Sequence, residues 1–348
     1  DIAELAGRAE VEKVSLDGKI KAPEPTAAPS AAPEWNLSAI RAPELWTTGY
    51  TGAGVVVANM DTGVDANHSD LAGSYRGGDN SWFDPNGEYA TPHDNTGHGT
   101  QVMGLMVGGD AGGTAIGVAP DAQWIAVKIF DRFGVAELSD IHQGFQWLLD
   151  PDDDPGTDDA ADVVNNSWGF PDLAGLCYLE FEPDIEALKA AEIAVVFSGG
   201  NRGTLGSESP ANNPASFAVG ATDITDTIAY FSSIGPSDCE GGVYPNVVAP
   251  GLGVKTSDLG NWYASVIGTS FAAPHVSGAM ALLLSAYPGA TVAQLEQALE
   301  DAALDLGAAG PDDEYGYGLI DVVAAEGWLA DSPPGPVCTD ADGDGFFA

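Results

Sequence analysis

The chain has 348 residues, which is enough for one large domain with a sizeable core or for two smaller ones. Its 52 Asp and Glu against 11 Lys and Arg give a net charge of −41, which argues against nucleic acid as a partner. The apolar runs are short and none approaches the roughly 20 residues that cross a bilayer, so we expect no transmembrane segment. Such acidity either keeps the surface hydrated in high salt or supplies carboxylate ligands for calcium.

Composition divides the chain into four segments. Residues 1–22 are predicted to contain the end of a short helix and then a strand. Residues 23–34 are mainly Ala, Pro and Ser and are predicted to be a linker, because they lack the hydrophobicity to fold alone. The main domain is predicted over 35–330. Residues 331–348 are predicted to be a second linker followed by a truncated calcium-binding-like repeat, since DADGDG opens a D-x-D-x-D-G loop.

The main domain alternates strand-like and helical patterns. Apolar runs predict strands at 55–60, 123–129, 163–166, 193–198, 216–221 and 246–249. Helical patterns lie between and after them, at 98–107, 138–149, 184–191, 270–286 and 291–303. Continuous apolar strands that alternate with helices indicate an α/β fold, with a parallel sheet covered on both faces.

Four polar residues stand at the predicted ends of strands or helices. Asp61 ends an apolar strand, and His98 begins a helix between two glycines. Asn201 follows another strand, and Ser270 precedes a helix whose first turn contains Pro274. Each residue taken alone has a purely structural explanation, as a loop aspartate, a helix-capping histidine, a turn asparagine or a helix-capping serine. Together they supply a nucleophile, a base, a carboxylate that orients the base, and an amide donor for an oxyanion.

The motifs around these residues carry a resemblance to a known family. They are DTGVD (61–65), GHGTQVMG (97–104), NNSWG (165–169), SGGN (198–201) and GTSFAAPHVSG (268–278). Through them the chain resembles the subtilisin-like serine proteases, or subtilases, over roughly residues 35–330. The order Asp, His, Ser along the chain is also that of subtilisin.

The resemblance implies a fold and a mechanism. The fold is a three-layer α/β/α sandwich with a mostly parallel sheet of about seven strands. The catalytic triad is Asp61, His98 and Ser270, and the oxyanion hole consists of Asn201 and the backbone N–H of Ser270. We therefore expect a secreted serine endopeptidase that acts on polypeptides through an acyl-enzyme on Ser270, as a monomer and without an organic cofactor. Two alternatives are an enzyme that transfers the acyl group to an amine and a calcium-dependent adhesive protein with a degenerate protease fold.

The resemblance also implies a substrate cleft in which an extended peptide adds as a strand. Its edges are predicted to be Phe133, Gly134, Val135, Ala136 and Glu137 on one side, and Ser167, Trp168 and Gly169 on the other. Gly199 and Gly200 complete the walls of the primary pocket, with Arg202 at its rim and Glu208 near its floor. If Glu208 points inward, it favours a basic residue before the scissile bond. If it pairs with Arg202, the pocket is neutral and takes large apolar residues; we favour this pairing because an unpaired buried carboxylate is costly.

Three further expectations concern calcium, the cysteines and the N-terminal segment. The resemblance places a structural calcium at Asp70, with Asp110 as a substitute ligand in the loop 108–115. The acidic segment 150–162 is either a solvated loop or a second calcium site. Cys177 and Cys239 are expected to form a disulfide, leaving Cys338, although three buried thiols are the alternative. Residues 1–22 resemble the closing strand of a subtilase propeptide, or else are a ragged mature N-terminus.

Overall fold

The computed structural model describes residues 19–21, 26–27 and 35–332. Most of the predicted segments 1–22 and 23–34, and nearly all of 331–348, therefore lie outside the described residues. The strands are β1 (Lys19–Lys21), β2 (Thr26–Ala27), β3 (Val56–Asp61), β4 (Trp82–Phe83), β5 (Gln123–Lys128), β6 (Val135–Glu137), β7 (Val163–Asn166), β8 (Ala194–Ser198), β9 (Phe217–Thr222), β10 (Val247–Pro250), β11 (Leu252–Asp258) and β12 (Trp262–Ile267).

The helices mostly follow strands of the sheet. They are α1 (Trp35–Ala39), α2 (Ala42–Thr48), α3 (His98–Val107), α4 (Leu138–Leu149), α5 (Glu182–Ala190), α6 (Ala273–Ala286), α7 (Val292–Asp301) and α8 (Val322–Asp331). A 3₁₀ turn at Thr269–Phe271 leads directly into α6. Within the described ranges, no helix combines the length and the apolar character that crossing a membrane requires.

Seven strands form one parallel sheet in the order β10-β9-β8-β7-β3-β5-β4. The central strand β3 alternates its side chains between two apolar layers, because Val57 packs on one face while Ala58 and Met60 pack on the other. Helices α3, α6, α7 and α8 contribute to the first layer, and α4 and α5 contribute to the second. The predicted α/β fold with a parallel sheet covered on both faces is therefore confirmed.

Two smaller sheets lie outside the main one. Strands β11 and β12 form an antiparallel hairpin, to which β2 adds a third strand. Strand β6 pairs antiparallel with β1, so that Ile20 faces Ala136 in the register. A disulfide joins Cys177 to Cys239 across 62 residues and ties together two loops beside the strand ends.

Candidate active site

Asp61 and His98 are brought together by the carboxyl end of β3 and the first residue of α3. Both side chains are buried, and Nδ1 of His98 lies 2.8 Å from Oδ1 and 3.0 Å from Oδ2 of Asp61. Since an ionised carboxylate only accepts hydrogen bonds, Nδ1 carries the proton and donates it. The other ring nitrogen, Nε2, has no hydrogen-bond partner within the described residues, and in a neutral imidazole with its proton on Nδ1 it is an acceptor.

A close backbone contact holds this helix start against the sheet. The N–H of Gly99 donates to the hydroxyl of Thr62 at 2.9 Å. A Cβ at position 99 would lie 2.1 Å from the carbonyl oxygen of Gly63, so only glycine fits there. The glycine that follows His98 is thus required for the approach of α3 to the end of β3.

Ser270 faces the same cleft as His98. It sits in the 3₁₀ turn before α6, where the first backbone N–H groups of a helix lack intrahelical acceptors. Its hydroxyl donates to the carbonyl of Ser167 at 3.2 Å, and the Ser167 hydroxyl donates back to the Ser270 carbonyl at 2.7 Å. In this conformation the serine therefore bonds to Ser167 rather than to His98, and catalytic hydrogen bonds commonly form only when substrate is bound.

Asn201 lies beyond the end of β8, opposite the turn that carries Ser270. Its Oδ1 accepts from the backbone N–H of Thr269 at 2.9 Å and from the Thr269 hydroxyl at 3.1 Å. Because these bonds occupy the oxygen, the amide nitrogen is the end left to donate. Asn201 lines the cleft together with His98 and Ser270, so a donor, an acceptor and a hydroxyl converge on one space.

The cleft has a volume of about 660 Å³ and contains most of the predicted pocket residues. Ser167, Trp168, Gly169, Gly200, Arg202 and Glu208 all line it. Gly199 stands behind its wall, where its N–H donates to the carbonyl of Val219 at 2.8 Å.

The predicted edge at 133–137 is shorter than expected. Only Val135, Ala136 and Glu137 form a strand, whereas Phe133 and Gly134 belong to a turn in which the Gly134 N–H bonds to the Asp131 carbonyl at 3.0 Å. Gly134 has a φ of 71°, and the carboxylate of Asp131 accepts the N–H of Phe133. The strand begins only after this turn, because the backbone hydrogen bonds of the turn are satisfied locally. Phe133 is left largely exposed.

The favoured pairing of Glu208 with Arg202 is wrong in this structure. Arg202 instead reaches Asp172, with 3.8 Å between Nη2 and Oδ1. Oε1 of Glu208 accepts the backbone N–H of Asn201 at 2.9 Å and the hydroxyl of Ser233 at 3.1 Å. Burial raises the pKa of Glu208, and these two hydrogen bonds, with a weaker contribution from Arg202, oppose that rise. Neutral donors thus stabilise the carboxylate in place of an ion pair.

The carboxylate of Asp70, which was predicted to bind calcium together with Asp110, accepts hydrogen bonds in this structure. Oδ1 of Asp70 accepts the N–H of Ala111 at 2.6 Å, and Oδ2 accepts the hydroxyl of Tyr263 at 2.6 Å. Burial and this contact raise the pKa of Tyr263 to about 12, so the phenol remains a donor at neutral pH. Asp110 is exposed. One donor thus contacts each oxygen of the carboxylate that was expected to bind calcium, and the site prediction at Asp70 stays a prediction.

The acidic loop offers a different place for a cation. Within the described part of the chain, Asp150, Asp152 and Asp159 form the one group of three possible ligands whose oxygens lie within 4.8 Å of one another. Burial raises the pKa of Asp159, and the neighbouring charge of Asp152 raises it further. Clustered carboxylate oxygens are the ligands that calcium prefers.

Two buried residues that support the site were not anticipated. The carboxylate of Asp94 accepts the hydroxyl of Thr62 at 3.0 Å and the N–H and hydroxyl of Thr100. Lys128 pairs in register with Asp61 in the sheet, and its ammonium donates to the Thr62 carbonyl at 2.7 Å. Burial lowers the pKa of Lys128. A charged residue at the end of an otherwise apolar strand was the available signal for Lys128.

His275 is excluded as the base by its surroundings. Its Nδ1 lies 2.8 Å from the Phe271 carbonyl, and its Nε2 lies 2.9 Å from Nδ2 of Asn36. Burial lowers the pKa of His275 to about 4, so the ring is neutral with both nitrogens in use. Its role is to connect α6 to α1.

Comparison with known proteins identifies the family. The sequence model of the Subtilase family matches residues 52–318. The chain belongs to the subtilase family. Bacillopeptidase F of Bacillus subtilis (strain 168) is 40% identical over 323 residues, covering 86% of this chain and 22% of that protein. Subtilisin NAT of Bacillus subtilis subsp. natto is 37% identical over 295 residues, covering 84% of this chain and 70% of that protein.

Another relative, Subtilisin of Bacillus pumilus, is 36% identical over 295 residues, covering 84% of this chain and 98% of that protein. The chain thus spans nearly all of this subtilisin but only about a fifth of Bacillopeptidase F. Subtilases are serine endopeptidases, and this is the class of enzyme to which the chain belongs. The predicted family is confirmed.

Proposed function

We propose that this subtilase is a secreted endopeptidase that cleaves extended polypeptides through an acyl-enzyme on Ser270. The observation that carries the proposal is Nε2 of His98, which has no hydrogen-bond partner among the described residues. Asp61 holds the other ring nitrogen, and His98 lines the same cleft as Ser270. A base with a fixed tautomer and a free lone pair beside a serine hydroxyl is the arrangement that nucleophilic acyl transfer requires.

The reaction begins when the Ser270 side chain rotates from the Ser167 carbonyl toward His98. Oγ attacks the peptide carbonyl carbon while its proton passes to Nε2, and Asp61 stabilises the imidazolium that forms. The side-chain amide of Asn201 and the backbone N–H of Ser270 donate to the oxyanion. The C–N bond then breaks as His98 returns the proton to the leaving amine. Water, activated in turn by His98, hydrolyses the ester and frees Ser270.

Substrate binding is proposed to use one edge of β6. The chain's own β1 pairs with this edge in antiparallel register, and Lys21 lines the cleft. The main-chain groups of β6 are therefore able to accept an added strand, which is how extended peptides bind to sheet edges. The same pairing supports the prediction that residues 1–22 are a propeptide remnant that competes with substrate.

Secretion and a structural calcium complete the proposal. The Cys177–Cys239 disulfide supports secretion, because disulfides persist in oxidising compartments. The calcium would be held by Asp150, Asp152 and Asp159. Its positive charge would offset the repulsion among the three carboxylates and so stabilise the acidic loop.

Casein hydrolysis by the wild-type chain and by the Ser270→Ala variant tests the proposal. We expect hydrolysis that a serine-directed fluorophosphonate abolishes in the wild type, and none above background in the variant. Retention of wild-type hydrolysis by the folded variant would remove Ser270 from the mechanism.

A further inference from the structure

Glu208 is a buried acid inside the cleft that the proposed reaction does not use. Only 4% of its surface is exposed, and it lines the same cavity as Ser270. It comes from a segment beyond β8 rather than from the elements that carry the proposed triad. A carboxylate in that position lies within the space that receives a substrate side chain next to the scissile bond.

Two glycines open the wall in front of this carboxylate. A Cβ at Gly200 would lie 2.2 Å from Oε1 of Glu208, and a Cβ at Gly169 would lie 3.9 Å from Oε2. A side chain at position 200 would therefore clash with the carboxyl group, and one at position 169 would contact it. With glycine at both, the walls consist of backbone, and a long side chain has a path to Glu208.

The two oxygens of Glu208 differ in their contacts. Oε1 is bound by the Asn201 N–H and by the Ser233 hydroxyl. For Oε2, the described residues provide no hydrogen-bond donor. One half of the carboxylate is thus fixed by donors of the scaffold, and the other half is left for a ligand.

No cation of the described scaffold neutralises Glu208. Arg202 reaches Asp172 at 3.8 Å and is 41% exposed, so it lies at the rim. Lys21, the other Lys or Arg that lines the cleft, is exposed as well. A buried carboxylate without a cationic partner gains the most from a ligand that brings one, because the cost of its burial is already borne by the free enzyme.

The segment that carries Glu208 is rigidly held. The Ser207 N–H and hydroxyl both donate to Oδ2 of Asp238, at 3.1 and 2.8 Å. The Ser209 hydroxyl accepts the N–H of Tyr178 at 2.9 Å. Both partners are next to a cysteine of the Cys177–Cys239 disulfide. The carboxylate therefore keeps its position when substrate enters, which a specificity pocket requires.

From these contacts we propose that Glu208 makes the primary pocket selective for substrates with Lys or Arg immediately before the scissile bond. This inference rests on the proposed function of Ser270 and names the substrate class of that site. The aliphatic stem of the substrate residue lies between the backbone walls at Gly169 and Gly200, and its cationic head meets Oε2. An apolar side chain in the same place leaves the carboxylate unpaired.

Kinetics on the full chain test the selectivity. Peptide substrates identical except for Arg, Lys, Phe or Leu before the scissile bond are compared for the wild type and for Glu208→Gln. We expect the wild type to prefer Arg and Lys, and the variant to lose at least about 30-fold in kcat/KM on those two alone, the size of breaking a buried charge pair. Higher wild-type kcat/KM for Phe and Leu, or an equal loss on all four substrates, would overturn the proposal.

Glu182→Gln is the matched control. Burial also raises the pKa of Glu182, and its carboxylate likewise accepts a backbone N–H, from Ala215 at 3.1 Å, but it does not line the cleft. This variant is expected to keep the wild-type preference. If it loses activity on Arg and Lys as Glu208→Gln does, the selectivity does not come from the pocket.

A binding measurement separates this inference from the proposed function. Calorimetry on Ser270→Ala, with benzamidine as a cationic probe and benzamide as its neutral counterpart, needs no turnover. We expect benzamidine to bind at least about 30-fold more tightly than benzamide, and this difference to vanish in the Ser270→Ala/Glu208→Gln double variant. Equal binding of the two probes overturns the pocket assignment even if Ser270 is catalytic. A chain that discriminates between the probes without hydrolysing any substrate fails only in its proposed function.

Discussion

The two ring nitrogens of His98 have different surroundings, because Asp61 binds only Nδ1. The carboxylate fixes the proton on Nδ1, and Nε2 remains an acceptor at the cleft. Asn at position 61 would offer an N–H as well as an oxygen, and would favour the opposite tautomer. We predict that Asp61→Asn lowers kcat on the order of 10⁴-fold, the loss known for the same change in another serine protease triad. Single-turnover kinetics with circular dichroism of the folded variant measure this.

Asp162→Asn is the control for that variant. Asp162 is a half-buried carboxylate beside the central strand, and it accepts the N–H of Val56 at 2.7 Å, but at the opposite end of β3 from Asp61. Its substitution is expected to change stability slightly and kcat little. Equal losses from both substitutions would mean that the orientation of His98 is not what Asp61 contributes.

The polar residues of the site were predictable because each one ends or begins an element with a clear pattern. Asp61 and His98 are examples, since the strand and the helix that carry them were both readable. The partner of Arg202 was not predictable. Its choice of Asp172 over Glu208 depends on side chains 30 residues away and on neutral donors that compensate Glu208. Likewise, nothing near Asp70 in the sequence indicated that Tyr263 would bind it.

Strand β6 is the element that joins the N-terminal segment to the cleft. Its pairing with β1 covers the main-chain groups that the proposed substrate strand would use. We predict that deletion of residues 1–22 lowers KM for a casein-derived peptide, with kcat nearly unchanged, because only the competition for the edge is removed. Progress curves of the two chains give both constants.

Adding back a synthetic peptide of residues 1–22 completes that experiment. The peptide should inhibit the shortened chain competitively, since it would bind at the same edge as substrate. Identical KM values in the two chains, with no inhibition by the peptide, would show that residues 1–22 do not compete with substrate.

The acidic loop between α4 and β7 is the element where we expect calcium to act. Chelation with EGTA should lower the thermal midpoint of the wild type, because removal of the cation leaves Asp150, Asp152 and Asp159 to repel one another. Asp152→Asn should abolish this sensitivity to EGTA. Tyr263→Phe should lower the thermal midpoint but leave the sensitivity to EGTA unchanged. Differential scanning calorimetry with and without EGTA measures the shifts. Sensitivity that survives in Asp152→Asn and disappears in Asp70→Asn would return the calcium to Asp70.

The sheet and its main helices were predictable from continuous apolar runs, and the hairpin was not. The predicted helices at 98–107 and 138–149 coincide with α3 and α4. Strands β11 and β12 were not predicted, because Leu252–Asp258 and Trp262–Ile267 contain polar as well as apolar residues. Such a mixture is allowed in a sheet that packs on one face only. The two-residue strand β4 is too short to leave a pattern. It forms because Trp82 and Phe83 pair with the edge of β5.

Charge and covalent closure act on the molecule as a whole. With 52 acidic and 11 basic residues, most carboxylates have no Lys or Arg partner, and their mutual repulsion favours expansion. The disulfide opposes expansion by closing a segment with a sequence separation of 62. Closing a loop of this length lowers the entropy of the unfolded chain, which raises the free energy of unfolding by about 4 kcal/mol.

We predict that Cys177→Ser/Cys239→Ser unfolds at lower guanidinium concentration than the wild type, by up to about 4 kcal/mol in unfolding free energy. Reducing agent should destabilise the wild type to the level of the variant and leave the variant unaffected. Denaturation followed by tryptophan fluorescence measures both effects. A wild type that is indifferent to reducing agent would show that the two thiols are not joined in solution.

Trapping the acyl-enzyme on Ser270 would show the proposed nucleophile itself. The full chain is mixed with a nitrophenyl ester at low pH, quenched within milliseconds, and digested for mass spectrometry. We predict a burst of one nitrophenol per active chain and an acyl group on the peptide that contains Ser270, with neither in Ser270→Ala. An acyl group on another residue, or an equal burst from the folded Ser270→Ala chain, would contradict it.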